Sequence, residues 1–95
     1  MGDTLEELGT LTGKGRLIEN GSDLGAVGYE CNVYQAEDGP VGIGFLAGEP
    51  GLFAKAGDLS DLWLRLQDGQ EMPIEITKTV GNDAEFDSPG PIPGF

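Results

Sequence analysis
The chain has 95 residues, 17 acidic and five basic, with a formal charge of −12 and no histidine. So acidic a surface repels phosphate backbones and anionic lipid, which argues against nucleic-acid and membrane partners and leaves a basic protein surface as the complementary class. Without histidine there is no Ser-His-Asp triad, no usual general base near neutral pH and no commonest zinc ligand, so the chain is expected to be non-catalytic and to need no cofactor.

This length makes one domain with one modest core. Seventeen glycines and six prolines suit short strands joined by turns. A single cysteine, Cys31, excludes an intrachain disulfide. The acidic start from Met1 to Glu7 lacks the apolar run of a signal peptide, and Glu6 stands where a myristoylation motif needs Ser or Thr. No stretch approaches the ~20 apolar residues of a membrane span. A soluble, cytoplasmic protein is therefore expected.

Residues 1–9 read as a flexible acidic N-terminus, with Leu5 and Leu8 on one side of any helical turn. Thr10 to Ile18 reads as the first strand, anchored by Leu11 and Leu17, with Gly13 and Gly15 marking a bulge or a close backbone approach. Its Thr12-Gly13-Lys14-Gly15-Arg16 run is a faint likeness of a phosphate-binding loop, without the required spacing or following helix. Glu19 to Gly25 reads as a loop turning at Asn20-Gly21.

Ala26 to Ala36 is expected to be the second strand, with Val27, Tyr29, Cys31 and Val33 on one face. A three-residue loop, Glu37-Asp38-Gly39, would pair Val33 with Ile43, Cys31 with Phe45 and Tyr29 with Ala47, joining apolar faces. Pro40 then precedes the third strand, Val41 to Ala47. After a turn over 48–51, Leu52 to Lys55 reads as a short fourth strand and Ala56 to Asp61 as a turn, with Asp58 and Asp61 capping or solvated.

The stretch from Leu62 to Ile76 carries the strongest pattern. A three-residue loop over Gln67-Asp68-Gly69 pairs Leu64 with Met72 and Leu62 with Ile74, and one over Asp68 to Gln70 keeps the same faces in a different register. The first places Arg65 opposite Glu71 and Trp63 opposite Pro73 on the other face. The competing reading is a helix over Leu59 to Leu66 capped by Asp58. Thr77 to Val80 extends the return arm, 81–83 turns, and Ala84 to Asp87 is a short last strand with Phe86 inward. The two hairpins share a loop form, but too few residues match to claim an internal duplication.

The strands define an all-β domain over 10–87: a small antiparallel barrel or two-sheet sandwich of about six short strands, SH3-like or similarly partly open. Fewer than seven strands argues against an immunoglobulin-type sandwich. Residues 88–95 hold three prolines and read as an extended Pro/Gly tail.

The candidate sites follow from these faces. Trp63 beside Pro73 and the stem of Arg65 is a contact surface for a protein partner or a second copy, or else covers a second layer. Ile92 and Phe95, on the proline-stiffened tail, could dock on their own barrel or on a neighbour's. Asp83, Glu85 and Asp87 share one strand face and could meet calcium, although they lack an EF-hand pattern and also read as a solvated acidic face. Cys31 reads as a small buried hydrophobe with no histidine to activate it. The function expected is protein–protein contact or self-association; the alternative is a small-ligand or divalent-metal-binding barrel using the acidic turn.

Overall fold
Asn20 and Gly21 both take positive φ, 53° and 85°, as a mirror-image hairpin turn demands. The turn is therefore only those two residues, and Glu19 already pairs with Ser22. The computed structural model describes residues 6–55 and 61–95. In it β1 spans Glu6–Glu19 and β2 Ser22–Ala36. Both are longer than expected, since Glu6 to Gly9 and Ser22 to Gly25 belong to the ladder rather than to a flexible end and a loop. The register slips between Leu17 and Ile18, which absorbs an extra residue on β2 as a bulge.

β3 follows over Gly39–Gly48, a helical turn α1 over Leu52–Lys55, then β4 (Leu62–Arg65), β5 (Glu71–Val80) and β6 (Asp83–Ser88). All six strands are antiparallel members of one sheet that closes in the order β1-β2-β3-β6-β5-β4. Two three-stranded meanders, β1-β2-β3 and β4-β5-β6, thus meet along two seams: β3 against β6, and β1 against the short β4.

The central hairpin has the expected register. Leu62 faces Ile74, Trp63 faces Pro73, Leu64 faces Met72 and Arg65 faces Glu71. Gly69 takes a φ of 93°. The Asp68 carboxylate accepts from the Gln70 backbone N–H at 3.0 Å and its side-chain amide at 2.7 Å. Those bonds hold the Asp68 carboxyl below its ordinary range. Leu62 to Arg65 is strand rather than helix, Leu66 is not helical, and Asp61 lies in a bend; residues 56–60 of the competing helix and of the expected turn over Ala56 to Asp61 lie outside the described residues.

The second hairpin corrects the expected register. Ala36 pairs with Gly39, so the loop is Glu37-Asp38 alone, and Val33 faces Gly42, Cys31 faces Gly44 and Tyr29 faces Leu46. The one-residue slip turns Ile43 and Phe45 outward and Gly42, Gly44 and Leu46 inward. The cause is space. A Cβ on Gly44 would meet the Glu30 carbonyl oxygen, and one on Gly42 would lie 2.6 Å from Cys31 Sγ. The strand approaches β2 so closely there that only glycine fits inside.

Leu52 to Lys55 is a helical turn, not a strand. The Leu52 N–H donates to the Glu49 carbonyl at 3.0 Å, and the turn drives Leu52, 1% exposed, into the core. Its methyls lie against Gly25 and Gly48. The core also holds Leu17, Val27, Cys31, Val33, Leu46, Leu62, Leu64, Met72 and Phe86. Tyr29 enters it with a satisfied hydroxyl, which accepts from the Gln67 N–H at 3.0 Å. Gly13 and Gly15 flank its ring, so their role is the close-approach one.

Residues after β6 fold back on the barrel. Buried Ser88 donates its hydroxyl to the Pro73 carbonyl at 2.6 Å and accepts from the Gly90 N–H at 3.3 Å. The Gly90-Pro91 peptide is cis. Ile92, 4% exposed, is a member of the core. The Phe95 N–H returns to the Ile92 carbonyl at 3.0 Å.

Candidate functional site
The outer surface of the sheet presents two apolar areas, and the sequence pointed at only one. Trp63 lies on the outer face of β4, opposite Pro73 on one side and Ile18 on the other. Its indole N–H donates to Asp61 Oδ1 at 3.3 Å. Asp61 itself takes a φ of 53°, and its carbonyl accepts the Asn20 N–H at 3.1 Å. Arg65 is paired with Glu71 at 2.8 Å. Trp63 is therefore half-buried and held by its own chain.

The other contact candidates separate. Trp63 and Pro73 are cross-strand neighbours as expected. Ile92 is inside the core and offers no surface to a partner, because its proline-flanked segment folds over Gly42, 3.5 Å from where a Cβ would stand. Phe95 remains 42% exposed, with its ring against Gly9.

The second area is the outer face of β3. Ile43 is 49% and Phe45 56% exposed. They stand between β2 and β6, with Ile43 between Asn32 and Asp87, Phe45 between Glu30 and Glu85, and Ala47 between Gly28 and Asp83. The apolar stripe is thus bordered by Glu30 on one side and by Asp83, Glu85 and Asp87 on the other. Val80, also exposed, pairs with Asp83 beyond them. Among the described residues the ion pairs are Arg16–Asp23 and Arg65–Glu71, and neither involves these four carboxylates.

Beside Phe45 the surface opens into a depression of about 420 Å³, lined among others by Lys14, Gly28, Glu30, Phe45, Ala47 and Asp83. Its cause is Gly28, which brings no side chain to the outer face. A second opening of about 180 Å³ lies on the other side of Phe45, against Val80, Asp83 and Glu85.

Asp83, Glu85 and Asp87 do share one exposed face, alternating with buried Ala84, Phe86 and Ser88. Same-face neighbours on a strand stand about 6.5–7 Å apart, too far for all three to bind one ion at the ~2.4 Å of a calcium–oxygen bond. Among the described residues no three His, Cys, Asp or Glu side chains form a group that could hold a metal. Cys31 is fully buried, and burial pushes its thiol up to about 11. A neutral, enclosed thiol is a poor nucleophile and a poor metal ligand. No helix among the described residues is long and apolar enough to cross a membrane.

Ile43 and Phe45 are the exposed apolar residues that sequence reasoning missed. The signal was present in Val41-Gly42-Ile43-Gly44-Phe45, where every second residue is glycine. By size alone that alternation points the large residues inward, and the close approach of β3 to β2 reverses it. No protein-family model, curated protein or solved structure matches the chain.

Proposed function
We propose that this chain is a non-catalytic contact domain that binds another protein through the outer face of β3 and β6. One observation carries the reading. Ile43 and Phe45 are exposed on the outer face of β3 while the inward positions on either side of Ile43 are Gly42 and Gly44, so these two large apolar side chains serve the surface and Leu46 is left as the strand's large core residue. Two such side chains flanked by polar residues have the make-up of an interface centre and its rim. The scaffold in this reading is a small antiparallel barrel, SH3-like in scale, strapped by residues 88–95. The enclosed Cys31 thiol and the lack of histidine support the non-catalytic part.

The Trp63–Pro73 area is the weaker contact candidate, because Trp63 is half-buried and its indole N–H is already engaged with Asp61.

The test compares wild type with Phe45→Ser and Trp63→Ala in parallel capture from the native cell extract, with the solution mass of each followed by light scattering. A partner retained by wild type and Trp63→Ala but lost by Phe45→Ser is the expected result. Retention by Phe45→Ser removes this face from the interface.

A further inference from the structure
The border of the β3 face has a charge, and with it a partner class. Glu30 stands on β2 and Asp83, Glu85 and Asp87 on β6, none of them ion-paired with a described residue. Lys78 stands opposite Glu85 on β5 and Lys14 lines the surface near Glu30 and Asp83, so two cations adjoin four carboxylates and the border stays net negative, within a chain of net charge −12. A second copy would bring the same carboxylates against themselves, so self-association through this face meets like charge on like charge. A cationic occupant removes that repulsion instead.

The depression over Gly28 narrows the chemistry further. Its wall is the side of Phe45, its floor is backbone at Gly28, and Glu30 and Asp83 both line it. Apolar wall, open floor and carboxylates match a long side chain with an apolar stem and a cationic head. Lys14 also lines the depression, opposite Gly28 on β1, and competes with such a head.

Resting on the contact-domain reading above, we propose that the β3–β6 face takes a basic protein segment, one of whose arginine or lysine side chains enters the depression over Gly28. Its stem lies along Phe45 and its charge meets Glu30 and Asp83. Apolar residues of the same segment cover Ile43 and the rest of Phe45. Glu85 and Asp87 continue the acidic border along β6, so further basic residues on that side of the segment find partners.

Gly28 gives a test that leaves the fold intact. A Cβ there would meet nothing nearer than the Gly13 carbonyl oxygen at 4.0 Å, so Gly28→Val starts from a position with room for its Cβ and narrows the depression. The full chain is titrated by calorimetry with a short synthetic peptide alternating leucine and arginine, and with one alternating leucine and glutamine. Thermal melts of every variant check folding. The arginine peptide is expected to bind, and the glutamine peptide about tenfold or more weakly. Gly28→Val and the double variant Glu30→Gln, Asp83→Asn each weaken the arginine peptide by about tenfold. Lys14→Met tightens it, and added salt weakens it. A control double variant at the distant turn, Glu37→Gln with Asp38→Asn, changes binding less than about twofold.

Three results overturn the proposal. Equal binding of both peptides would, and so would a control variant as damaging as Glu30→Gln with Asp83→Asn. So would a concentration-dependent dimer abolished by Phe45→Ser, which would make the occupant a second copy. The contact face and its cationic partner can also fail separately. If Phe45→Ser loses both peptides while Gly28→Val and the acidic variant bind as wild type, the contact face stands and its cationic partner does not. If Phe45→Ser binds both peptides as wild type does, both fall.

Discussion
Gly44 lies so close to Cys31 that a Cβ on it would sit 2.8 Å from the Cys31 Cα. The two residues are paired across β2 and β3, and the closeness is what turns Phe45 to the surface. A methyl at Gly44 must push the two strands apart. We expect Gly44→Ala to cost about 2–3 kcal/mol through overpacking. Gly28→Ala, on the same sheet but facing open space, should stabilise by up to about 0.5–1 kcal/mol, because alanine has less freedom to lose on folding. Urea midpoints at matched slope separate the two. Equal shifts would contradict the inward placement of Gly44.

Burial of Cys31 makes stability depend on pH at the alkaline end. Desolvation raises its thiol from the ordinary 9.0 to about 11. The folded pKa lies above the unfolded one, so the folded state holds the proton longer. The associated stability is complete below pH 9.0 and is lost as pH rises through about 11, amounting to about 2–3 kcal/mol at most. Cys31→Ala should flatten that part of the profile while lowering stability at neutral pH through the smaller side chain. An aromatic disulfide reagent should label the wild-type thiol only as fast as the barrel opens. Labelling at the rate of a free thiol in native buffer would contradict its enclosure.

Ser88 ties the end of β6 to β5 through the Pro73 carbonyl. Its hydroxyl reaches the Pro73 carbonyl at 2.6 Å. Ser88→Ala leaves that carbonyl and the Gly90 N–H without this partner and should cost about 1–2 kcal/mol. Ser88→Thr keeps the hydroxyl, adds a methyl in a site that is 2% exposed, and should recover only part of the loss. A Ser88→Ala melting curve that overlays the wild type would mean the bond contributes nothing net.

Ile92 should behave as a core residue although it sits among prolines. Ile92→Ala is expected to cost about 2–4 kcal/mol, and a chain cut after Ser88 at least as much. Phe95→Ala, at a half-exposed position, should cost less than Ile92→Ala. Chemical denaturation of the three variants checks the order. A truncation that unfolds at the wild-type midpoint would show that residues 89–95 are not part of the cooperative unit.

The central hairpin was legible because two signals agreed: the parity of Leu62, Leu64, Met72 and Ile74, and a turn glycine at 69. The second hairpin was legible in its faces on β2 but not in its partner. Side-chain size is a poor guide where the constraint is backbone approach, and Gly42 and Gly44 are inward for lack of room rather than for apolarity. Leu52 was misread because a single helical turn is too short to display a period. The first hairpin is longer than its sequence suggests because Asn20-Gly21, within a stretch that reads as a loop, is itself the whole turn. At the candidate surface the acidic row on β6 could be read from its two-residue spacing. Phe45 could not, because its exposure depends on the slip of one residue in the neighbouring ladder.

The two meanders meet along two seams, yet the chain passes between them only once, through residues 49–61. Every other connection is a hairpin within one half. A backbone break in that passage would leave two fragments, each with its own complete set of turns, and each missing only the other as the wall that hides its apolar face. Mixed together, such fragments are expected to reassemble the ring from separate polypeptides, and a reporter split between them would read out that reunion.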